Sequence, residues 1–596
     1  MNGMQARLGL ALATLLLAIV AGLYLSGYIA LIWLKLNIPL EWNTWWRYWK
    51  ALEFAQFQPF ATKIKTCGAV GFGLPVLGWL LLWIPLFRRN EESLHGDARF
   101  ANKADIAKAG LLKATPEGVL IGKAFGMNLY LGGAQHVIVT AATRTGKTAG
   151  IVVPILLTYA HSVVCSDLKG ELYELTSAER KKKGHAVYRF APYDEKRRTH
   201  RFNPFTVLSD DPALRISQIQ TIGAILYPDS PGKDPFWIAQ ARSSFLAVTA
   251  FLFDRWDERV RESRVEIDAA PQAGQSPGLQ LPDRNKHAWF PSFERIYKFA
   301  SGDGNKPLKA MLQGLINEPY ISDTARTGFS SLAGLADDTF SSVIASMQEP
   351  LMQFANPILA DATNASDFDV RQLRKRLMSV YMVIPPEKLG ESAKLLNIFF
   401  SMVINSNLDQ TPQEDPSNKY QLLMVLDEFA TMGRVDALAN RISIIGGYGV
   451  RSLVIVQSRA QLRAVYGPDD AQNLITNHSV SIVFTPREQA DANEYSEMLG
   501  YRTIRKKHRS TSNGAGGGSV SIHYTEERRA LMLAQELKEL PKDDALLFYE
   551  GCRPIKAKKN WYFKDATFKA QIQPPVPVKP LRGTQSVHSA SNQVSP

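Results

Sequence analysis

The chain has 596 residues, enough for about four domains at roughly 150 residues each, which excludes a staple-dependent miniprotein. Its 69 Lys+Arg against 56 Asp+Glu give a formal charge of +13, which favours an anionic partner, either nucleic acid or an anionic membrane face. Only three cysteines occur, Cys67, Cys165 and Cys552, and no His-Glu-x-x-His spacing, so a disulfide framework, a zinc ribbon and a zincin-type site are excluded; 45% hydrophobic with 21% charged residues excludes wholesale disorder.

From Leu8 to Leu34 no charge occurs, and as a helix this run reaches about 40 Å, more than the ~30 Å hydrocarbon core requires. It is too long for the apolar core of a cleaved signal peptide. A second uncharged run, Thr66 to Phe87, spans about 33 Å. Between them lie Trp42, Trp45, Trp46, Tyr48 and Trp49, aromatics that either settle at a membrane–water interface or pack on one another. Charge bias leaves the orientation open. The loop carries Lys35, Arg47, Lys50, Lys63 and Lys65, and Arg88, Arg89, Arg99, Lys103 and Lys108 follow the second helix. Both termini are expected on the side of the membrane where the long chain after the second helix works, the cytosol.

After Arg88-Arg89, short strand-like runs alternate with helical stretches, the pattern of a parallel α/β sheet. Strands are expected at His136–Thr140, Ser162–Ser166, Ala186–Phe190, Leu377–Ile384, Leu422–Leu426, Ser452–Val456, Val480–Phe484 and Ala545–Tyr549, most of them solid apolar runs suited to burial on both faces. The alternation stops between about Phe205 and Arg376, where Phe236–Trp256 and Thr327–Phe354 have helical periodicity. This predicts an all-α domain inserted between strands. Glu266–Lys286 reads as an exposed loop, Ser510–Ser521 as a flexible stretch beside the basic run Arg505–Arg509, and the tail from Gln573 as unfolded.

The strand His136–Thr140 leads into Ala141-Ala142-Thr143-Arg144-Thr145-Gly146-Lys147-Thr148 and then an apolar helix start at Ile151. That order suits a P-loop. Residues 141–148 would cradle phosphates with backbone N–H groups, Lys147 would reach the β- and γ-phosphates, and the Thr148 hydroxyl would bind Mg²⁺. Ala141 stands where the pattern has its first glycine, which is tolerable only if φ there is negative. The apolar strand Leu422–Leu426 ends in Asp427 and Glu428, so both carboxylates belong at the carboxyl edge of the sheet beside the P-loop. Asp427 suits the Mg²⁺ shell and Glu428 suits polarising the attacking water. Gln457 ends another buried strand at the same edge. It is either a γ-phosphate contact that reports hydrolysis or an amide satisfied by backbone. Arg434, Arg441, Arg451 and Arg487 are possible arginine fingers, none of them singled out.

His95-Gly96-Asp97-Ala98-Arg99, the strand and turn Ser162–Tyr173, Arg201-Phe202-Asn203-Pro204-Phe205, Asp234-Pro235-Phe236-Trp237 and Tyr448-Gly449-Val450-Arg451 follow in an order that resembles the TraG-type coupling proteins of type IV secretion and bacterial conjugation. The resemblance runs from the two membrane helices to about Phe568. It implies a RecA-like P-loop NTPase with an inserted all-α domain and two N-terminal transmembrane helices, sited in the bacterial inner membrane as a multi-pass protein with most of the chain cytosolic. It further implies an ATPase using ATP and Mg²⁺, assembly as a homo-hexamer, and partners that include single- or double-stranded DNA, relaxase or relaxosome proteins, and inner-membrane channel components. Gly446 stands where some relatives carry a candidate arginine finger. The expected organisation is a membrane domain at 1–90 (helices about 8–34 and 66–87, short periplasmic loop 35–65), a nucleotide-binding domain in two parts at 91–205 and 377–572, an all-α domain at 206–376, and a disordered tail at 573–596. A nucleotide-dependent docking scaffold without translocation, or a septal chromosome-segregation DNA pump, are the alternatives to a transfer motor.

Overall fold

Strands that are apolar along their whole length can only be buried on both faces, and parallel strands so buried leave their carboxyl ends at one common edge. The computed structural model realises that arrangement. It describes residues 2–87, 94–229, 232, 234–269, 280–302, 304, 306–512 and 519–581. The expected basic stop Arg88-Arg89, residues 270–279 of the expected loop 266–286 (whose first four residues end a helix), the glycine run 513–518 and the tail 582–596 lie outside the described residues. The chain divides into two compact units, Met1–Leu94 and His95–Pro596.

In the first unit, helices Asn2–Leu34 and Ala61–Phe87 pair through small residues. A Cβ on Gly71 would lie 2.5 Å from Ser26, the close backbone approach that small residues allow between apolar helices. Trp45 is buried, donates its indole N–H to the Ile64 carbonyl at 2.9 Å and packs on Phe72 and Trp49, whereas Trp42 and Trp46 are exposed. The aromatic cluster is therefore split: Trp45 packs inward with Tyr48 half-buried against the same small core, while Trp42, Trp46 and Trp49 are exposed. Leu16, Leu17, Leu81 and Leu82 are all exposed, as a lipid-facing surface requires. The second helix starts at Ala61, taking in Lys63 and Lys65 ahead of the uncharged run.

In the second unit the strands are β1 (Val119–Ala124), β2 (Met127–Leu131), β3 (Val137–Thr140), β4 (Ser162–Asp167), β5 (Ala186–Phe190), β6 (Met378–Val383), β7 (Leu422–Leu426), β8 (Val450–Val456), β9 (Val480–Val483), β10 (Tyr501–Ser512), β11 (Ser519–Ala530), β12 (Asp544–Tyr549) and β13 (Ile555–Lys558). All but β10 and β11 form one sheet in the order β2-β1-β13-β12-β9-β3-β8-β7-β4-β6-β5. From β9 to β5 every pairing is parallel; β12, β13, β1 and β2 continue the sheet antiparallel. All eight expected strands are present, within a residue or two at most ends. Missed were β1, β2, β13 and the two-stranded ribbon β10–β11, whose outer ends Ser510–Ser512 and Ser519–Ser521 are the described part of the stretch 510–521 read as flexible.

Alternate residues of the parallel strands feed two cores. Ile138, Val164, Val380, Met424 and Val454 face one, and Val139, Cys165, Tyr381, Val425 and Ile455 face the other, as the period-2 pleat dictates. The first core runs on into the segment between β5 and β6, which is helical with no strand among its described residues. Its longest helix, Pro235–Ala269, is apolar enough to cross a membrane, as are the two N-terminal ones. Phe245, Phe251 and Phe253 explain its hydrophobicity, because they are buried in that core. The Arg201–Phe205 motif is the way in: buried Asn203 donates to the Pro291 carbonyl at 2.8 Å and accepts from Phe205 N–H at 3.1 Å, and Arg201 pairs with Asp367 at 2.6 Å. The chain does not leave the body at Gln573. Tyr173 donates to the Val576 carbonyl at 2.6 Å, Val576 N–H to Ser177 at 3.1 Å and Leu581 N–H to the Arg197 carbonyl at 2.9 Å, so 573–581 is an ordered strap.

Candidate functional site

The loop after β3 is shaped by its backbone. Ala141 keeps a negative φ and donates its N–H to the Val456 carbonyl at 2.9 Å, so the missing first glycine costs nothing. Positive φ is needed instead at Arg144 (65°) and Gly146 (86°). At Gly146 a side chain is doubly barred, because a Cβ would also lie 2.2 Å from the Trp561 ring. Beyond Lys147 the chain makes one π turn, Thr148–Val152, and then the α-helix Val153–Thr158. Such wide turns recur at functional sites.

Lys147 lies between the acids after β7, 3.2 Å from Asp427 and in an ion pair with Glu428. Glu428 sits in the left-handed region at φ 54°, a conformation that costs a non-glycine residue about 1 kcal/mol or more. Its second carboxylate oxygen accepts from the Gln457 amide at 2.9 Å, and the Gln457 carbonyl oxygen accepts from the Thr143 hydroxyl at 3.2 Å. A closed circuit therefore joins the P-loop, the acid after β7 and the amide after β8, the strand that lies between β3 and β7. The Gln457 side chain is met by side chains, not by backbone. Burial pushes the Asp427 carboxyl above the usual range, and the Glu428 charge adds to this while Lys147 opposes it.

Of the sequence-predicted site residues, Lys147, Asp427, Glu428, Gln457 and Thr143 meet directly. Ala142 and Arg144 belong to the same loop, Thr145 donates its hydroxyl to the Ala142 carbonyl at 2.6 Å, and Thr148 is half-buried at the start of the π turn. A cleft of about 460 Å³, lined by Ala142, Thr143, Gln457, Gln461 and Arg487, adjoins them. Among the described residues no three His, Cys, Asp or Glu side chains cluster to hold a metal. The Thr148 hydroxyl and the Asp427 carboxylate are a sparse donor set, which suits Mg²⁺, an ion that uses one or two protein oxygens and fills the rest of its shell with phosphate and water.

The possible arginine fingers separate. Arg451 is completely buried and donates to the carbonyls of Gln135 at 2.9 Å, Glu117 at 2.6 Å and Leu131 at 3.2 Å, so it is an internal anchor and no finger. Arg434 is held by Asp436 at 2.6 Å and Asp470 at 2.7 Å, and Arg441 by Asn405. Arg487 is exposed and reaches the Thr143 carbonyl of its own P-loop at 2.9 Å.

Sequence reasoning missed the segment that follows β13. Buried Lys559 donates to the Thr145 carbonyl at 2.9 Å, Asn560 N–H to Gly150 at 3.1 Å and Tyr562 N–H to Ala149 at 3.1 Å. The Trp561 ring lies on Gly146 with its indole N–H on Asp543 at 2.8 Å. Burial lowers the Lys559 ammonium to about 8. Asp167, ending β4, is also buried, accepts from Tyr173 N–H at 2.8 Å, and is pushed up to about 6 by desolvation. A strand ending in Asp was visible in the sequence; a clasp 414 residues from the loop it holds gave no local signal.

The family model for the type IV secretory system conjugative DNA transfer proteins matches residues 92–583. Protein VirD4 of Agrobacterium fabrum is 28% identical over 527 residues, covering 86% of this chain and 72% of the relative. The conjugal transfer protein TraG of Escherichia coli is 28% identical over 534 residues, covering 82% and 79%. Among solved structures, the plasmid coupling protein TrwB in complex with a non-hydrolysable ATP analogue aligns at a TM-score of 0.52 with 16% identity, over 79% of this chain and 95% of that one. TrwB in complex with ADP and Mg²⁺ aligns at 0.50 with 15% identity, over 79% and 96%.

Proposed function

The chain belongs to the type IV secretory conjugative DNA-transfer family, and on that premise we propose that it is a membrane-anchored ATPase that recruits relaxase-bound DNA or protein substrates and drives them to a type IV secretion channel. The observation that carries the reading is the Lys147–Glu428–Gln457–Thr143 circuit, with Asp427 alongside, at the carboxyl edge of a parallel sheet. In it Lys147 would follow the β- and γ-phosphates, and the backbone of residues 141–148 would cradle them. Glu428 would orient and polarise the attacking water and Gln457 would sense the γ-phosphate, since phosphoryl transfer needs placement and charge neutralisation more than covalent help. Thr148 and Asp427 would hold Mg²⁺, which supplies charge neutralisation on the phosphates. TrwB, complexed with ADP and Mg²⁺ and with an ATP analogue, supports nucleotide as the ligand.

The two N-terminal helices anchor the chain, in this reading in the bacterial inner membrane with both termini cytosolic. Contact with DNA phosphates is sequence-independent and salt-sensitive. Relaxosome proteins and inner-membrane channel components are the further partners, and a homo-hexameric ring is the working form. The test is phosphate release by the full-length chain in detergent, with and without single-stranded DNA, paired with a mating assay. Hydrolysis stimulated by DNA, and transfer lost together with hydrolysis, support the motor. Transfer that survives loss of hydrolysis would replace it with a docking scaffold.

A further inference from the structure

The ribbon β10–β11 has the least intramolecular explanation of any element outside the nucleotide site. Its strands pair from Tyr501↔Ala530 to Ser512↔Ser519, a length of about 40 Å at 3.4 Å per residue, and belong to no larger sheet. Its base is tied to the stem that follows the membrane helices: Ala98 N–H donates to the Tyr501 carbonyl at 3.1 Å, Thr503 N–H to the Gly96 carbonyl at 3.0 Å, and His95 N–H to the Thr503 hydroxyl at 3.0 Å. The helix Ala61–Phe87 ends only eight residues before His95, so the linking chain spans at most about 28 Å.

The charges divide along the ribbon. Toward the base they are neutralised internally: Arg505 pairs with Glu526 at 2.9 Å, Lys506 with Glu527 at 2.6 Å, Arg529 with Glu536 at 2.6 Å, and Arg528 stacks on Tyr501. Farther out, Lys507 and Arg509 have no ion-pair partner among the described residues. The register sets Lys507 opposite Tyr524 and Arg509 opposite Ile522, so these four side chains share one face. Ile522 is 49% and Tyr524 59% exposed. Among the described residues, none makes a hydrogen bond or ion pair to these four side chains.

We propose that this outer face is a membrane-surface arm: Lys507 and Arg509 bind the anionic headgroups of the bilayer that holds the chain's own helices, with Ile522 and Tyr524 seated at the headgroup level. The composition selects this partner. Unpaired cations answer anionic lipid, an amphipathic phenol and an aliphatic side chain favour the interface, and nucleic acid would use the cations but give the exposed isoleucine no burial. Each cation near an anionic leaflet is worth about fivefold in association, so the pair is worth about thirtyfold.

The inference rests on the membrane anchoring proposed above, and one experiment separates the two. The full-length chain, with Cys552→Ser and Ile522→Cys, carries a nitroxide on the face that holds Lys507, Arg509 and Tyr524, and enters nanodiscs of phosphatidylcholine alone or with phosphatidylglycerol. The expected result is a label shielded from a water-soluble relaxer only in anionic discs, with the bound-to-free ratio falling about thirtyfold in Lys507→Gln/Arg509→Gln. Tyr524→Ser is expected to weaken the same protection, and retained ATP-analogue binding certifies the fold of both variants. A label equally exposed in both lipid mixtures would overturn the arm, as would protection that appears only when single-stranded DNA is added to neutral discs. Failure of the chain to enter discs at all would overturn the anchoring beneath it.

Discussion

The parallel part of the sheet and its antiparallel flank serve the same loop in different ways. Strands β3, β7 and β8 deliver Lys147, Asp427, Glu428 and Gln457 to one edge simply by running in one direction. Strands β12 and β13 deliver no acid to that edge, but lead into Lys559–Tyr562, which holds the P-loop and the π turn after it through three hydrogen bonds and a tryptophan ring. Parallel topology thus assembles the chemistry, and the flank fixes the conformation in which the loop presents it.

The division can be broken most forcefully from the parallel side. Lys147→Ala removes the ammonium that neutralises two largely buried carboxylates, and phosphate release is expected to fall about a thousandfold or to background; activity within tenfold of the parent would dismiss the assignment. From the flank, Trp561→Ala empties a buried ring site. It should cost about 3 kcal/mol in thermal or denaturant unfolding and weaken nucleotide affinity about tenfold below the melting range. Unchanged affinity would reduce the flank to a purely structural role. Gly146→Ala sharpens the point. The steric clash with Trp561 should be relieved in the double variant with Trp561→Ala, whereas the positive-φ strain of about 1–2 kcal/mol should persist, so a cycle of nucleotide affinities showing no coupling would contradict the packing. The smallest effect concerns Asp167. Its folded pKa of about 6 lies above the unfolded value, so it contributes stability that is full below about pH 4 and is lost as pH rises through about 6. Asp167→Asn should flatten that slope, by about a few degrees in Tm, and an unaltered pH profile would assign the shift elsewhere.

Legibility followed burial. β7 was readable because Leu-Leu-Met-Val-Leu ends in two carboxylates, and β3 because an apolar strand precedes Gly146-Lys147-Thr148. β13 was not, since Ile555–Lys558 alternates buried and exposed residues over only four positions, too few to rise above chance. The ribbon strands were missed because charge occupies both faces of Tyr501–Arg509 and leaves no apolar period to read. Arg451 shows a role that sequence alone leaves open. An arginine in a strand next to the site looked available for catalysis, and only three buried carbonyls, contributed by residues more than 300 positions away, reveal an anchor.

The most direct test of the central claim is to measure ATP binding and hydrolysis side by side in Glu428→Gln. The amide can keep the Gln457 contact and the packing, but it cannot polarise water. The expected result is nucleotide affinity within about threefold of the parent and hydrolysis down by at least about a hundredfold. Hydrolysis at the parental rate would contradict the claim that the acid pair after β7 and the P-loop form one catalytic site.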